Sequence, residues 1–189
     1  IYPIIVTRSW DHEVKNSSDL FKSSGKQVEH KVFDHYEVYY IPYRSSFKEK
    51  ALVRFFGTKF YPLYLALAFL SGIREIYTIW GSPLLPLYTF CKNLLRSHKD
   101  IQLLIVSGNP FELFHFAYKL KKQFAIQWIA DYRDDWTTNE LHLSSNGFKK
   151  IIQKLSRKKE IKWVSTASWF FSVSAHYVNK IQQILPQVP

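Results

Sequence analysis

Between Ile101 and Trp136 the chain runs through one tight cycle: apolar run, turn, helix, second apolar run, charged loop. Ile101–Val106 (IQLLIV) is almost continuously apolar, the pattern of a strand buried on both faces of a parallel sheet. Ser107-Gly108-Asn109-Pro110 then turns the chain into an amphipathic stretch, Phe111–Gln123. Asn109 is the expected N-cap of that helix, with Pro110 at N1 and Glu112 in the capping-box position. Ile126–Ala130 follows as the next strand. Two strands joined through a helix require a crossover, so they are expected to be parallel.

The second strand ends abruptly. Asp131, Arg133, Asp134 and Asp135 follow Ala130 almost directly and are closed by Trp136. Burying all these charges is prohibitive, so the strand is expected to end at a rim with its charges facing a cleft. In open α/β sheets, ligands bind at the carboxyl ends of strands.

The same grammar extends to either side. Tyr2–Thr7 and Tyr36–Ile41 read as strands separated by a long polar loop, Asp11–Lys31. Phe47–Lys59 is basic and aromatic, and leads into the apolar run Phe60–Ile73, expected to be helical. Pro83 and Pro86 open a helix that runs to about Ser97. Asn146-Gly147 begins another, with Phe148, Ile151, Ile152 and Leu155 on one stripe, that continues to about Ala167. Trp169–Val173 is a further strand and Ala175–Leu185 a last helix, stopped by Pro186. The expected class is α/β with a mostly parallel sheet. Its strand ends would bring Arg8–Trp10, Ser107–Pro110, Asp131–Trp136 and Ser174–His176 to one rim.

Each of these features also has a plain structural reading. Ser107–Pro110 precedes a helix N-terminus, which favours an anion, and Gly108 permits close approach of a ligand; the turn also reads as an ordinary strand–helix connection. Among Asp131, Arg133 and Asp134, a carboxylate suits a general base or a sugar hydroxyl, and the guanidinium suits a phosphate. The three aspartates, Asp131, Asp134 and Asp135, suit a hard metal less well, because no second acidic cluster completes a shell. The plain alternative is an ion pair stiffening a loop. His176 sits at a strand-to-helix turn on the same rim, where capping competes with ligand contact. The seven histidines show no zinc spacing, and no serine-hydrolase or phosphate-loop motif occurs.

Lys and Arg outnumber Asp and Glu by 26 to 15, for a net charge of +11, which favours anionic partners. No recognised nucleic-acid motif accompanies that charge, so specific nucleic-acid binding is not expected. The segments 47–59 and 60–73 have the composition of an interfacial element on an anionic membrane, or of a core helix with a basic flank. The longest mostly apolar run is too short to span a bilayer. A single cysteine, Cys91, excludes an intrachain disulfide and fits a reducing compartment.

The stretch Leu103–Trp136, LLIVSGNPFELFHFAYKLKKQFAIQWIADYRDDW, resembles the N-terminal domain of family-4-like glycosyltransferases of the GT-B fold. The opening YPIIVTRSW is similar to the second strand of that domain. The segment from Glu160 to Ser174 is similar to its later helix, strand and Val-Ser turn. The resemblance implies a Rossmann-like three-layer domain over residues 1–189, lacking its first strand and the C-terminal, donor-binding domain that would face it. It implies transfer of a sugar from a nucleotide sugar to a saccharide or lipid-linked acceptor, as in bacterial capsule and surface-polysaccharide synthesis. Retention of configuration is expected, with no cofactor and no metal. Asp131, Arg133 and Asp134 would be the catalytic residues. Ser107, Gly108, Asn109, Pro110, Trp136, His176, Arg8 and Trp10 would bind substrate. The resemblance places such a protein in the cytoplasm, peripheral on the inner face of the cell membrane. The chain begins at Ile1 and has no methionine, so a fragment is expected, inactive by itself. The alternative is a non-catalytic, membrane-peripheral binding module of the same fold.

Overall fold

The structure, a computed structural model, describes residues 1–16, 19–55, 58–75, 78–134, 136–138 and 147–189. Asp135 and Asn146, singled out above, lie outside them. The chain divides into two compact units, Ile1–Ser97 and His98–Pro189.

The first unit holds a mixed three-stranded sheet. Strand β1 (Ile4–Arg8) pairs in parallel with β3 (Glu37–Ile41), and β2 (Glu29–Val32) pairs antiparallel with β3. β2 begins inside the stretch expected to be loop, and a short 3₁₀ turn, Asp19–Phe21, lies wholly within it. All four residues of β2 are exposed, so no face of it is apolar and the alternation that betrays a half-buried strand is missing. Three helices follow: α1 (Phe47–Phe55), α2 (Tyr61–Glu75) and α3 (Leu85–Ser97). Helix α1 starts with a reciprocal capping box. Ser46 N donates to Glu49 Oε2 at 2.8 Å, and Glu49 N donates to Ser46 Oγ at 3.2 Å.

The second unit is the cycle read from the sequence. Strands β4 (Leu103–Gly108), β5 (Gln127–Tyr132) and β6 (Trp169–Ser172) form a parallel sheet in that order. Helix α4 (Glu112–Phe124) connects the first two strands and α5 (Gly147–Val164) the second two; α6 (Ala175–Ile184) closes the unit. The expected single sheet is therefore two sheets of three strands, of which only the second is all parallel.

Register sorts the side chains of the second sheet. Leu104, Val106, Trp128, Ala130, Tyr132 and Phe170 face one core, where Phe114, Trp163, Val164, Ile181 and Leu185 join them. Phe114, Trp128, Ala130, Tyr132, Val164 and Leu185 are wholly buried. The alternate residues Leu103, Ile105, Trp169 and Phe171 are exposed on the opposite face. The near-continuous apolar strands thus bury one face within this unit, although their composition suits burial of both. On α5, Ile151 is exposed rather than part of a buried stripe, and the deepest positions are Glu160, Trp163 and Val164. The helix stops at Val164, short of Ala167, and Ala167 N donates to Val164 O at 2.8 Å.

Candidate functional site

Ser107 and Asp131 are register partners at the carboxyl ends of β4 and β5, on the face opposite α4. Ser107 Oγ donates a hydrogen bond to Asp131 Oδ2, and Arg133 Nε donates to the same oxygen at 3.0 Å. Among the described residues, Asp131 Oδ1 accepts no hydrogen bond. Asp131 is 7% exposed, whereas the Arg133 side chain is 69% exposed. Among the described residues the carboxylate is thus held at one oxygen only, beside a cation that stays in water. Two donors on Oδ2 orient the group, and Oδ1 retains its capacity to accept a hydroxyl.

A second link joins the two strand ends. Asn109 has φ of +93°, a left-handed conformation that asparagine tolerates better than most residues. Its Nδ2 donates to Asp134 Oδ2 at 2.7 Å. This replaces the expected cap. The N-cap of α4 is Phe111, with no side-chain cap bond, and Glu112 is the first helical residue rather than the third. The tertiary partner Asp134 draws the Asn109 amide away from the helix. Glu112 places an acid in the first turn, where it meets the helix dipole itself.

Gly108 has a different role from the one its motif suggests. A Cβ there would stand 2.6 Å from Phe114 Cζ and 2.8 Å from Phe111 Cδ1. The space next to this glycine is filled by two aromatic rings of the core, so what approaches its backbone is the protein, not a ligand. Trp136 is likewise committed: its ring stacks on Phe111 at 4.9 Å and on Trp163 at 5.7 Å. It anchors the loop after β5.

The remaining candidates have surroundings of their own, and Arg8 and Trp10 belong to the first unit. Arg8 ends β1 in the first sheet, where its donors are consumed. Nη1 donates to Leu20 O at 2.6 Å and Nη2 to Lys22 O at 2.8 Å. Its guanidinium lies 3.4 Å from the Tyr43 ring centroid and 3.9 Å from that of Trp10. Arg8 staples the 3₁₀ turn to the sheet, and Trp10 covers it. His176 is exposed in the first turn of α6, whose N-cap Ser174 accepts from Tyr177 N. Pro110 is exposed, and the peptide bond before it is cis.

Sequence reasoning overlooked Glu160, which is 0% exposed. Tyr132 Oη donates to its Oε1 at 3.0 Å and Thr137 Oγ1 donates to its Oε2. Burial pushes this carboxyl up to about 7, against the two hydroxyls and the charge of Arg157, which pull it down. The Tyr132 phenol is raised, first by burial and then by Glu160. The signal was present: Glu160 is a lone acid among Lys154, Arg157, Lys158, Lys159 and Lys162, one helical turn before Trp163 and Val164.

Among the described residues no group of three or more His, Cys, Asp or Glu is arranged to hold a metal ion. No described helix is long and apolar enough to cross a membrane. No protein-family model matches the chain, and no curated protein matches it either. Fold and site define an α/β protein with a parallel three-stranded sheet, a separate mixed sheet, and a charged cluster at the carboxyl edge of the parallel one.

Proposed function

We propose that the chain is the acceptor-side domain of a GT-B glycosyltransferase, which moves a sugar from a nucleotide-sugar donor to a polysaccharide or lipid-linked acceptor. The observation that carries this reading is Asp131. It is a nearly buried carboxylate at the carboxyl edge of a parallel sheet, fixed through Oδ2 by Ser107 and Arg133, with no described residue donating to Oδ1, which can accept a hydroxyl. Such a group orients an acceptor hydroxyl and takes up its proton as the new bond forms. Arg133, exposed beside it, suits the phosphate charge of a nucleotide sugar or of a lipid diphosphate. Asn109 and Asp134 brace the rim, and the reading requires a donor-binding half in a second domain of a longer protein.

The test is a panel of nucleotide sugars offered to the longer protein, with Asp131→Asn and Arg133→Ala in parallel. A loss of about 100-fold or more in transfer by Asp131→Asn is expected. Wild-type rates in both variants would remove the site assignment, and no transfer from any donor would remove the function.

A second reading, a non-catalytic membrane-peripheral module, draws on the first unit. Phe47, Val53, Phe60 and Leu63 are exposed there alongside Lys50, Arg54 and Lys59. Apolar side chains among cations suit an anionic lipid surface.

A further inference from the structure

The catalytic role read for Asp131 leaves a buried acid one layer beneath it with no assigned task. Tyr132, the next residue along β5, points into the core, and its hydroxyl ends on Glu160 Oε1. Thr137, beyond the charged segment, ends on Glu160 Oε2. One carboxyl on α5 therefore ties down Tyr132, the neighbour of Asp131, and Thr137, on either side of Arg133, Asp134 and Trp136. Resting on the function proposed above, we propose that Glu160 is a positioning residue, a latch whose protonation state sets how firmly the segment after β5 is held against the core.

Tyr132 faces the carboxyl from β5 and Thr137 from the loop, while Arg157, one turn earlier, is the charged neighbour on α5 itself. From α4, His115 stacks on Trp163, three residues beyond Glu160, with ring centroids 4.4 Å apart. As a carboxylate Glu160 accepts from both hydroxyls. Once protonated it must donate from one oxygen, and one hydroxyl has to turn. Burial, the dominant influence, favours the protonated form. Opening the segment wets Glu160 and returns it to the ordinary carboxyl value of 4.5, so opening releases a proton over the interval from 4.5 to about 7. The open form binds fewer protons there than the closed one. Rising pH therefore loosens the segment across that interval and has no further effect above it. The segment is held tightest at the acid end of that interval.

Hydrogen exchange of peptides covering residues 132–138, corrected for the intrinsic pH dependence of exchange, reads this directly. Between pH 5 and 7.5, protection in the wild-type chain is expected to fall on the order of fifty-fold and then level off. Peptides from β4 serve as the control and are expected to hold steady. Glu160→Gln keeps the size and the hydrogen-bonding capacity but cannot ionise, and is expected to give a flat profile. Thr137→Val removes one donor to the carboxylate and is expected to move the midpoint to higher pH. A flat wild-type profile, an unchanged slope in Glu160→Gln, or an unmoved midpoint in Thr137→Val would each overturn the latch. The two proposals fail separately. A flat profile in a transferase that needs Asp131 sinks the latch alone, and a sloped profile in a protein that transfers no sugar sinks the function alone.

Discussion

Replacing Gly108 by alanine separates two readings of the Ser-Gly-Asn-Pro turn. If the glycine exists to admit a ligand, alanine leaves folding intact and affects binding. The geometry predicts the reverse. The added methyl would lie 2.6 Å and 3.0 Å from two atoms of the Phe114 ring and 2.8 Å from Phe111. Carbon atoms in contact prefer roughly 3.5–4.0 Å, so the overlap is about 1 Å. Phe114 is wholly buried and packed against Trp128 and Tyr132, with centroids 5.9 and 5.0 Å away, so it has little room to retreat. Phe111 is stacked on Trp136 and moves only by disturbing the loop. Overpacking of this kind costs about 1–3 kcal/mol. Urea unfolding followed by tryptophan emission suits the measurement, because Trp128, Trp136, Trp163 and Trp169 all lie in the second unit. The midpoint should fall with an unchanged slope. Phe114→Leu shortens the offending ring, so the double variant should be more stable than the sum of the single changes by at least about 0.5 kcal/mol. A Gly108→Ala protein within about 0.5 kcal/mol of wild type, or strict additivity in the double variant, would refute the packing argument.

Two other predictions concern the first unit. Arg8→Ala removes the bonds to the Leu20 and Lys22 carbonyls, which lie near the surface and can rehydrate, so the expected loss is about 1–2 kcal/mol. Limited proteolysis should then cut near residues 19–24; protection equal to wild type would show that the staple is idle. For the exposed apolar and basic side chains of α1 and α2, sedimentation with phosphatidylglycerol vesicles is expected, and little with phosphatidylcholine. Phe47→Ser with Leu63→Ser should abolish it, and equal binding by that variant would exclude this surface.

What was legible in the sequence was local. Ile101–Val106, the turn, the helix and Ile126–Ala130 were readable because hydrophobic period follows backbone geometry, and a residue's period depends only on its neighbours. The same logic ended the second strand at Ala130, since a run of charges is costly to bury, yet β5 runs on through the buried Asp131 to Tyr132 because Ser107 and Arg133 pair with that carboxylate. The α1 capping box, Ser46 to Glu49, is equally local, since it needs only a serine and a glutamate three residues apart.

Tertiary structure decided whatever depended on partners far away in sequence. Strand pairing is such a property. Nothing local to Tyr2–Thr7 announces that β1 joins β3 and β2 in a sheet apart from β4, β5 and β6. Side-chain commitment is another. Arg8 and Trp136 have the chemistry of ligand contacts, but one spends its donors on carbonyls twelve and fourteen residues away and the other its faces on Phe111 and Trp163. Asn109 left its helix for Asp134, twenty-five residues on. Glu160 gained its role only when folding carried it away from water and set two hydroxyls against it. Sequence determines which groups exist and the local shape that bears them; burial, which reprices every charge, is a property of the packed molecule.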